Sequence, residues 1–214
     1  MSGRGRRIVA VDGPAASGKT TLARRLALHF GLDFLDTGLL YRAVAWKLRR
    51  AGKPFSDVAS AAAAARTVTA DDLDPGRLRS DALSQGASVV AAIPEVRQAL
   101  LGFQRRFGAQ GPGAVLAGRD IGTVVRPDAS HKIFVTATVQ ERARRRCKEL
   151  QALGVPTIYD EVLANLEERD ARDRLRAVAP LVPASDAFVI DTTEQDIDTA
   201  FEIARAHVAA PAHG

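Results

Sequence analysis

Five short runs of β-branched or apolar residues punctuate this 214-residue chain: IVAV at 8–11, DFL at 33–35, AVLA at 114–117, KIFVTA at 132–137 and AFVID at 187–191. Helical patterns separate them. Parallel neighbours need a crossover between them, and a helix is its usual form. The alternation therefore predicts an α/β fold, one parallel sheet covered by helices on both faces. The length suits a single domain over 1–214 with one sizeable core.

Between the strands, the alanine-rich segment 56–72 is weakly patterned and predicts a short helix and a loop. Pro94 opens a helix over EVRQALLGFQRRF, with Val96, Leu100, Phe103 and Phe107 on one face. Two arginine-rich helices are expected at 138–153 and 157–176, broken at Gly154 and Pro156. The tail, 209–214, is expected to fray.

Composition removes several classes. The single cysteine, Cys147, permits no internal disulfide and suits a reducing cytoplasm. It lies in a charge-rich helical segment and reads as a small packing residue. His29, His131, His207 and His213 show no metal-ligand spacing, so no structural metal is expected. No apolar run approaches the ~20 residues that cross a bilayer. Asp12 ends IVAV too early for the core of a signal peptide. A net charge of +5 points to anionic partners, either nucleic acid or phosphorylated small molecules.

GPAASGKT, Gly13 to Thr20, fits G-x-x-x-x-G-K-[ST] between the strand IVAVD and the helix KTTLARRLALHF. The glycines let backbone N–H groups curl around phosphate oxygens, and the helix N-terminus favours an anion. Lys19 reaches the β- and γ-phosphates, and the Thr20 hydroxyl can ligate Mg²⁺. The loop residues Gly13, Pro14, Ala15, Ala16, Ser17, Gly18, Lys19, Thr20 and Thr21 are thus assigned to a nucleoside triphosphate, ATP with Mg²⁺.

Further segments fall at the same sheet edge, where α/β proteins place their ligands. Asp36 ends the second strand in DTGLLYR, with Arg42 on the helix after it. GRDIGTVV, 118–125, follows the third strand and carries Arg119 and Asp120 in a loop. RDARDRLR, 169–176, puts four arginines and two aspartates into eight residues. Three readings are open for it: a solvated helix face laced with ion pairs, a nucleic-acid surface, or a pocket for a small polyanion. Arg169, Asp173 and Arg176 are spaced i, i+4, i+7 and share a face, on which Asp173 can hold two arginines toward one anion. Arginine outnumbers aspartate, which favours the polyanion pocket, with Arg172 and Arg174 left to solvent.

DTGLLYR, GRDIGTVV and RDARDRLRAVAPL, together with the loop at 13–20 and PEVRQALLGFQRRF, resemble the bacterial cytidylate kinases, P-loop nucleoside-monophosphate kinases, over nearly the whole chain. The resemblance implies transfer of the ATP γ-phosphoryl group to CMP or dCMP on a five-stranded parallel sheet. It implies that Arg42, Arg119 and Arg176 clamp the CMP phosphate, that Arg169 and Asp173 contact the sugar, and that Ser88, Arg105 and Asp120 read the cytosine. Tyr41 joins the substrate-binding set, and Lys19, Arg119 and Arg176 the catalytic one. A monophosphate-binding lobe is expected at about 38–110 and a lid at about 141–176, with arginines of Glu141–Arg146 closing over ATP. Family members often carry an acidic residue before GRD; here it is Ala117, and Asp36 is assigned with Thr20 to magnesium. The stretch TVTADDLDPGRLRSD is too short for the β-rich insert often found in this lobe. A cytoplasmic monomer without nucleic-acid or membrane partners is expected. A kinase for another acceptor such as UMP is an alternative. So is a basic ATP-dependent nucleic-acid-binding protein, although stacking aromatics are few, at 5% of residues.

Overall fold

The computed structural model describes residues 6–109 and 111–211. Its elements in chain order are β1 (Arg7–Asp12), α1 (Lys19–Phe30), β2 (Asp33–Asp36), α2 (Thr37–Arg50), α3 (Val58–Arg66), α4 (Pro75–Leu78), α5 (Asp81–Val90), α6 (Pro94–Arg106), β3 (Gly113–Gly118), a π-helical turn (Ile121–Val125), β4 (His131–Thr136), α7 (Val139–Ala152), α8 (Tyr159–Leu175), β5 (Phe188–Asp191) and α9 (Ile197–Ala209).

The strands form one parallel sheet in the order β2-β3-β1-β4-β5. β1 lies at its centre, paired with β3 from Arg7↔Gly113 to Asp12↔Gly118 and with β4 from Val9↔His131 to Asp12↔Phe134. Burial on both faces explains why IVAV does not alternate in polarity. Val9 and Val11 join an apolar cluster with Leu22, Leu26, Ala204 and Val208 of α1 and α9. Ile8 and Ala10 join a second cluster with Leu116, Ile121 and Val125 on the opposite face.

A third cluster holds α2, α3, α5 and α6 together through Leu40, Val44, Leu48, Ala61, Val90, Val96 and Leu100. Among the described residues the stretch from α2 to α6 consists of helices, including a short 3-10 turn (Ala70–Asp72), and connecting turns, with no strand, in keeping with a segment too short for a β-rich insert. The face expected on α6 is corrected at one end. Phe107 lies past the helix in an extended conformation, because Gly108 turns the chain with φ +76° toward β3. Gly154, at φ +72°, separates α7 from α8. Cys147 is buried in the packing between those two helices. In the tail, Ala209 still belongs to α9, and 212–214 lie outside the described residues.

Candidate active site

A cavity of about 870 Å³ opens at the carboxyl edge of the sheet. One wall is the 13–20 loop. Gly13 has φ +150°, and a Cβ there would stand 2.0 Å from the Val135 carbonyl oxygen, so only glycine fits. Ala16 and Gly18 are left-handed, at φ 59° and 86°. This backbone turns Ala15, Ala16, Gly18, Lys19, Thr20 and Thr21 onto the wall, while Gly13, Pro14 and Ser17 form the loop's back. Lys19 is buried at the start of α1, and its Nζ donates to the Pro14 carbonyl at 3.0 Å. Burial, and then the nearby Arg119 guanidinium, push its pKa well below the ordinary lysine value.

The other walls collect residues from four elements and two loops. Asp36, Tyr41, Arg42, Ser88, Arg119, Asp120, Arg169, Asp173 and Arg176 all line the same cavity. Asp36 caps α2 by accepting from the Gly38 N–H at 2.9 Å, as its sequence position suggests. Buried Asp173 accepts from Arg119 Nε at 3.0 Å and from the Ser88 hydroxyl at 3.2 Å. The carboxylate of Asp173 is therefore met by Arg119 and Ser88 rather than by the arginines flanking it on α8, because the side chain faces α5 and the loop that follows β3. Arg176 has left the helix. It follows the last residue of α8 in an extended conformation, donates to the Ala179 carbonyl, and approaches Asp120 at 3.5 Å. The shared face at 169–176 is thus limited to Arg169 and Asp173. Arg174 is exposed, as expected for a solvated position, but Arg172 is only half-buried rather than solvated: it pairs with Glu168, and its Nη1 is buried without a hydrogen-bond partner among the described residues.

Arg105 is not among the residues brought to the cavity. It is exposed, and its Nε and Nη2 donate to the carbonyls of Val125 and Val124 at 3.2 and 3.1 Å. Arg97, two turns earlier on α6, stands there instead. It is buried, forms an ion pair with Asp120, donates to the Ala91 carbonyl, and lies over the Tyr41 ring. The signal was present in the sequence, since Arg97 and Gln104 fall on the buried stripe of α6 with Leu100. A charge on an apolar stripe marks a paired, internal position.

Sequence reading also missed two anchors. Asp12, ending β1, accepts from the N–H groups of Ile121 and Gly122 at 2.8 Å each. Burial raises its carboxyl to about 6, although both N–H bonds oppose the shift. Arg142 of α7 is buried, pairs with Asp170 of α8, and donates to the Ala15 carbonyl at 3.2 Å and the Ala137 carbonyl at 3.0 Å. The expected lid helices are thereby tied directly to the phosphate loop.

The cavity carries excess positive charge. Burial lowers Arg42, and burial with the neighbouring Arg119 lowers Arg169 to about 10. Arg169 Nε and Arg176 Nη2 are buried without a hydrogen-bond partner among the described residues. Buried guanidinium N–H groups are costly unless an acceptor meets them. The site therefore fits a polyanion. Thr20 and Asp36 offer hard oxygen donors on the wall, whereas Ala117 is fully buried in the apolar cluster under α1. Among the described residues no group of three or more His, Cys, Asp or Glu could hold a metal alone. One carboxylate and one hydroxyl fit Mg²⁺, which keeps water and takes most remaining ligands from phosphates.

Fold and site together define a P-loop kinase, with the phosphate loop facing a wall rich in arginine across one cavity. The chain belongs to the cytidylate kinase family, matching it over residues 9–209. It is 61% identical over 200 residues to the cytidylate kinase of Paramagnetospirillum magneticum, covering 92% of this chain and 95% of that one. It is 56% identical to that of Methylocella silvestris, covering 92% and 91%, and 54% identical to that of Azorhizobium caulinodans, covering 94% and 97%. The fold is shared with the solved structure of an uncharacterized protein from Eubacterium ventriosum, at a TM-score of 0.55 and 15% identity, covering 96% and 99% of the two chains.

Proposed function

We propose that the chain transfers the γ-phosphoryl group of ATP to CMP or dCMP, giving ADP and CDP or dCDP. The observation that carries the reading is the buried Arg97–Asp120–Arg176 chain of charges on the wall facing the phosphate loop. Asp120 accepts from the exocyclic amino group of cytosine, and Arg97 offers donors to the ring's carbonyl and nitrogen acceptors, a pattern uracil does not match. Ser88 completes that side. Arg42, Arg119 and Arg176 grip the acceptor phosphate, Arg169 and Asp173 meet the sugar, and Tyr41 packs beneath Arg97.

The 13–20 loop and Lys19 hold the donor phosphates. Positioned cations in a closed site stabilise charge on the transferring group far better than water does. The acceptor phosphate is largely dianionic near neutral pH and already nucleophilic, so no general base is assigned. Thr20 and Asp36 would hold Mg²⁺, which neutralises donor phosphate charge when bound. Helices α7 and α8 act as the lid over ATP and residues 38–110 as the acceptor lobe. The proposed setting is a monomer in a reducing cytoplasm, a compartment that the single buried thiol suits.

Coupled ADP release is measured with CMP, dCMP, UMP and AMP in turn. CMP and dCMP should give kcat/KM at least about 10-fold above UMP, since a site built around buried hydrogen bonds rejects an analogue that leaves them unmet. Equal rates with CMP and UMP would break the cytosine reading and leave a broader pyrimidine kinase. Nucleotide-independent ATP hydrolysis stimulated by RNA would break the kinase reading.

A further inference from the structure

Asp12 places a carboxylate at the end of an otherwise apolar central segment, off the cavity wall and outside the roles assigned above. Its Oδ1 and Oδ2 accept from two consecutive amides, those of Ile121 and Gly122. These are the first amides after Arg119 and Asp120, at the start of the π-helical turn. The turn is held at its far end too, where Arg105 donates to the carbonyls of Val124 and Val125. An ionised acceptor on two backbone donors holds a loop more firmly than a neutral one.

On its other side Asp12 is bonded to Gly13, which packs so closely on the β4 backbone that a Cβ there would stand 2.0 Å from the Val135 carbonyl oxygen. We propose that Asp12 is a positioning residue that locks the Arg119–Asp120 loop to the first residue of the phosphate loop, fixing the acceptor nucleotide relative to the donor. The inference rests on the CMP kinase reading. It adds that alignment of the two nucleotides passes through one strand-end carboxylate. Misplacement of about 1 Å can cost a reaction about 100-fold, so such a lock has a kinetic signature.

The test is Asp12→Asn, which keeps one acceptor and turns an N–H donor toward the second amide. Expected are a rise of about 10-fold or more in KM for CMP, a fall in kcat of similar size, a KM for ATP within about twofold of wild type, and faster amide exchange at Ile121 and Gly122. Unchanged exchange at those amides overturns the proposal whatever the acceptor proves to be. So does a KM for ATP that rises as much as that for CMP. If Asp12→Asn fails to fold, Arg105→Met at the exposed end of the turn decides. A rise of about threefold in KM for CMP alone supports the lock, and an unchanged KM for CMP overturns it. Absence of CMP-dependent ADP release from the wild-type enzyme counts against the acceptor reading instead.

Discussion

Lys19 places its ammonium where solvation is poor. Its Nζ donates to the Pro14 carbonyl, and the neighbouring Arg119 and Arg169 disfavour its charge further. That arrangement disfavours the charged group in the free protein, and under the proposed function it is relieved when donor phosphate oxygens arrive. Lys19→Ala should lower kcat by about 100- to 1000-fold, the range seen when one preorganised charge-stabilising donor is removed. The melting temperature of the nucleotide-free protein should be no lower than wild type, because a desolvated cation has gone. Steady-state kinetics and a thermal melt check both. An unchanged kcat with a lowered melting temperature would make Lys19 a structural residue. Arg97 and Arg105 show the limit of reading single residues. Both are arginines on one helix, eight positions apart, and only the burial of one beside Asp120 separates their roles.

At the scale of elements, α7 and α8 are joined to the phosphate loop by one buried guanidinium. Arg142 meets Asp170 with Nη1–Oδ1 at 3.2 Å and Nη2–Oδ2 at 2.5 Å, and takes the Ala15 carbonyl at the base of the left-handed turn. Asp170→Asn leaves that cation buried without its counter-charge, which should cost about 3–5 kcal/mol of stability. KM for ATP should rise more than KM for CMP, because the loosened carbonyl belongs to the donor loop. Urea unfolding and paired KM measurements check this. A loss under about 1 kcal/mol with both KM values intact would mean that the apolar packing of Ala143, Leu150, Val162 and Leu166 holds the helices alone. The elements themselves were largely legible, since strand runs and the proline and glycine signals act over a few neighbouring residues. The exit of Arg176 from α8 was not, because Ala179, in a left-handed conformation, and the Asp120 side chain draw it off the helix.

For the molecule as a whole, pH sets opposing groups against each other. Hydrogen bonds from Arg126 and Lys132 hold Asp128 and Asp186 below the usual carboxylate range. Their contribution is present above the ordinary value of 3.8 and is lost as pH falls through their folded values. Asp12 runs the other way. Its folded value, about 6, lies above the unfolded 3.8, so its contribution is fully present below 3.8 and is lost as pH rises through 6. Wild type minus Asp12→Asn, measured as unfolding free energy, should therefore shift in favour of wild type as pH falls from about 7 to about 4. The change should be at most about 3 kcal/mol. Denaturant titrations of both proteins across that range check the sign. A flat difference would mean that the two amides of the turn keep Asp12 ionised throughout.

What the sequence determined alone is whatever depends on near neighbours: five parallel strands, the glycine-bound turn of the phosphate loop, the caps, and the choice of one sheet edge for Asp36, Arg119 and the arginines of 169–176. These follow from steric limits on φ and from runs of residues buried on both faces, which few other arrangements satisfy. Only the tertiary structure decided which charge meets which. Arg97 finds Asp120 across 23 positions, Arg142 finds Asp170 across 28, Arg119 finds Asp173 across 54, and Asp12 finds the Ile121 amide across 109. Every arginine offers the same donors and every aspartate the same oxygens, so local sequence cannot rank such pairs. Packing ranks them, because a buried charge tolerates only the partner that the surrounding helices and strands bring within reach.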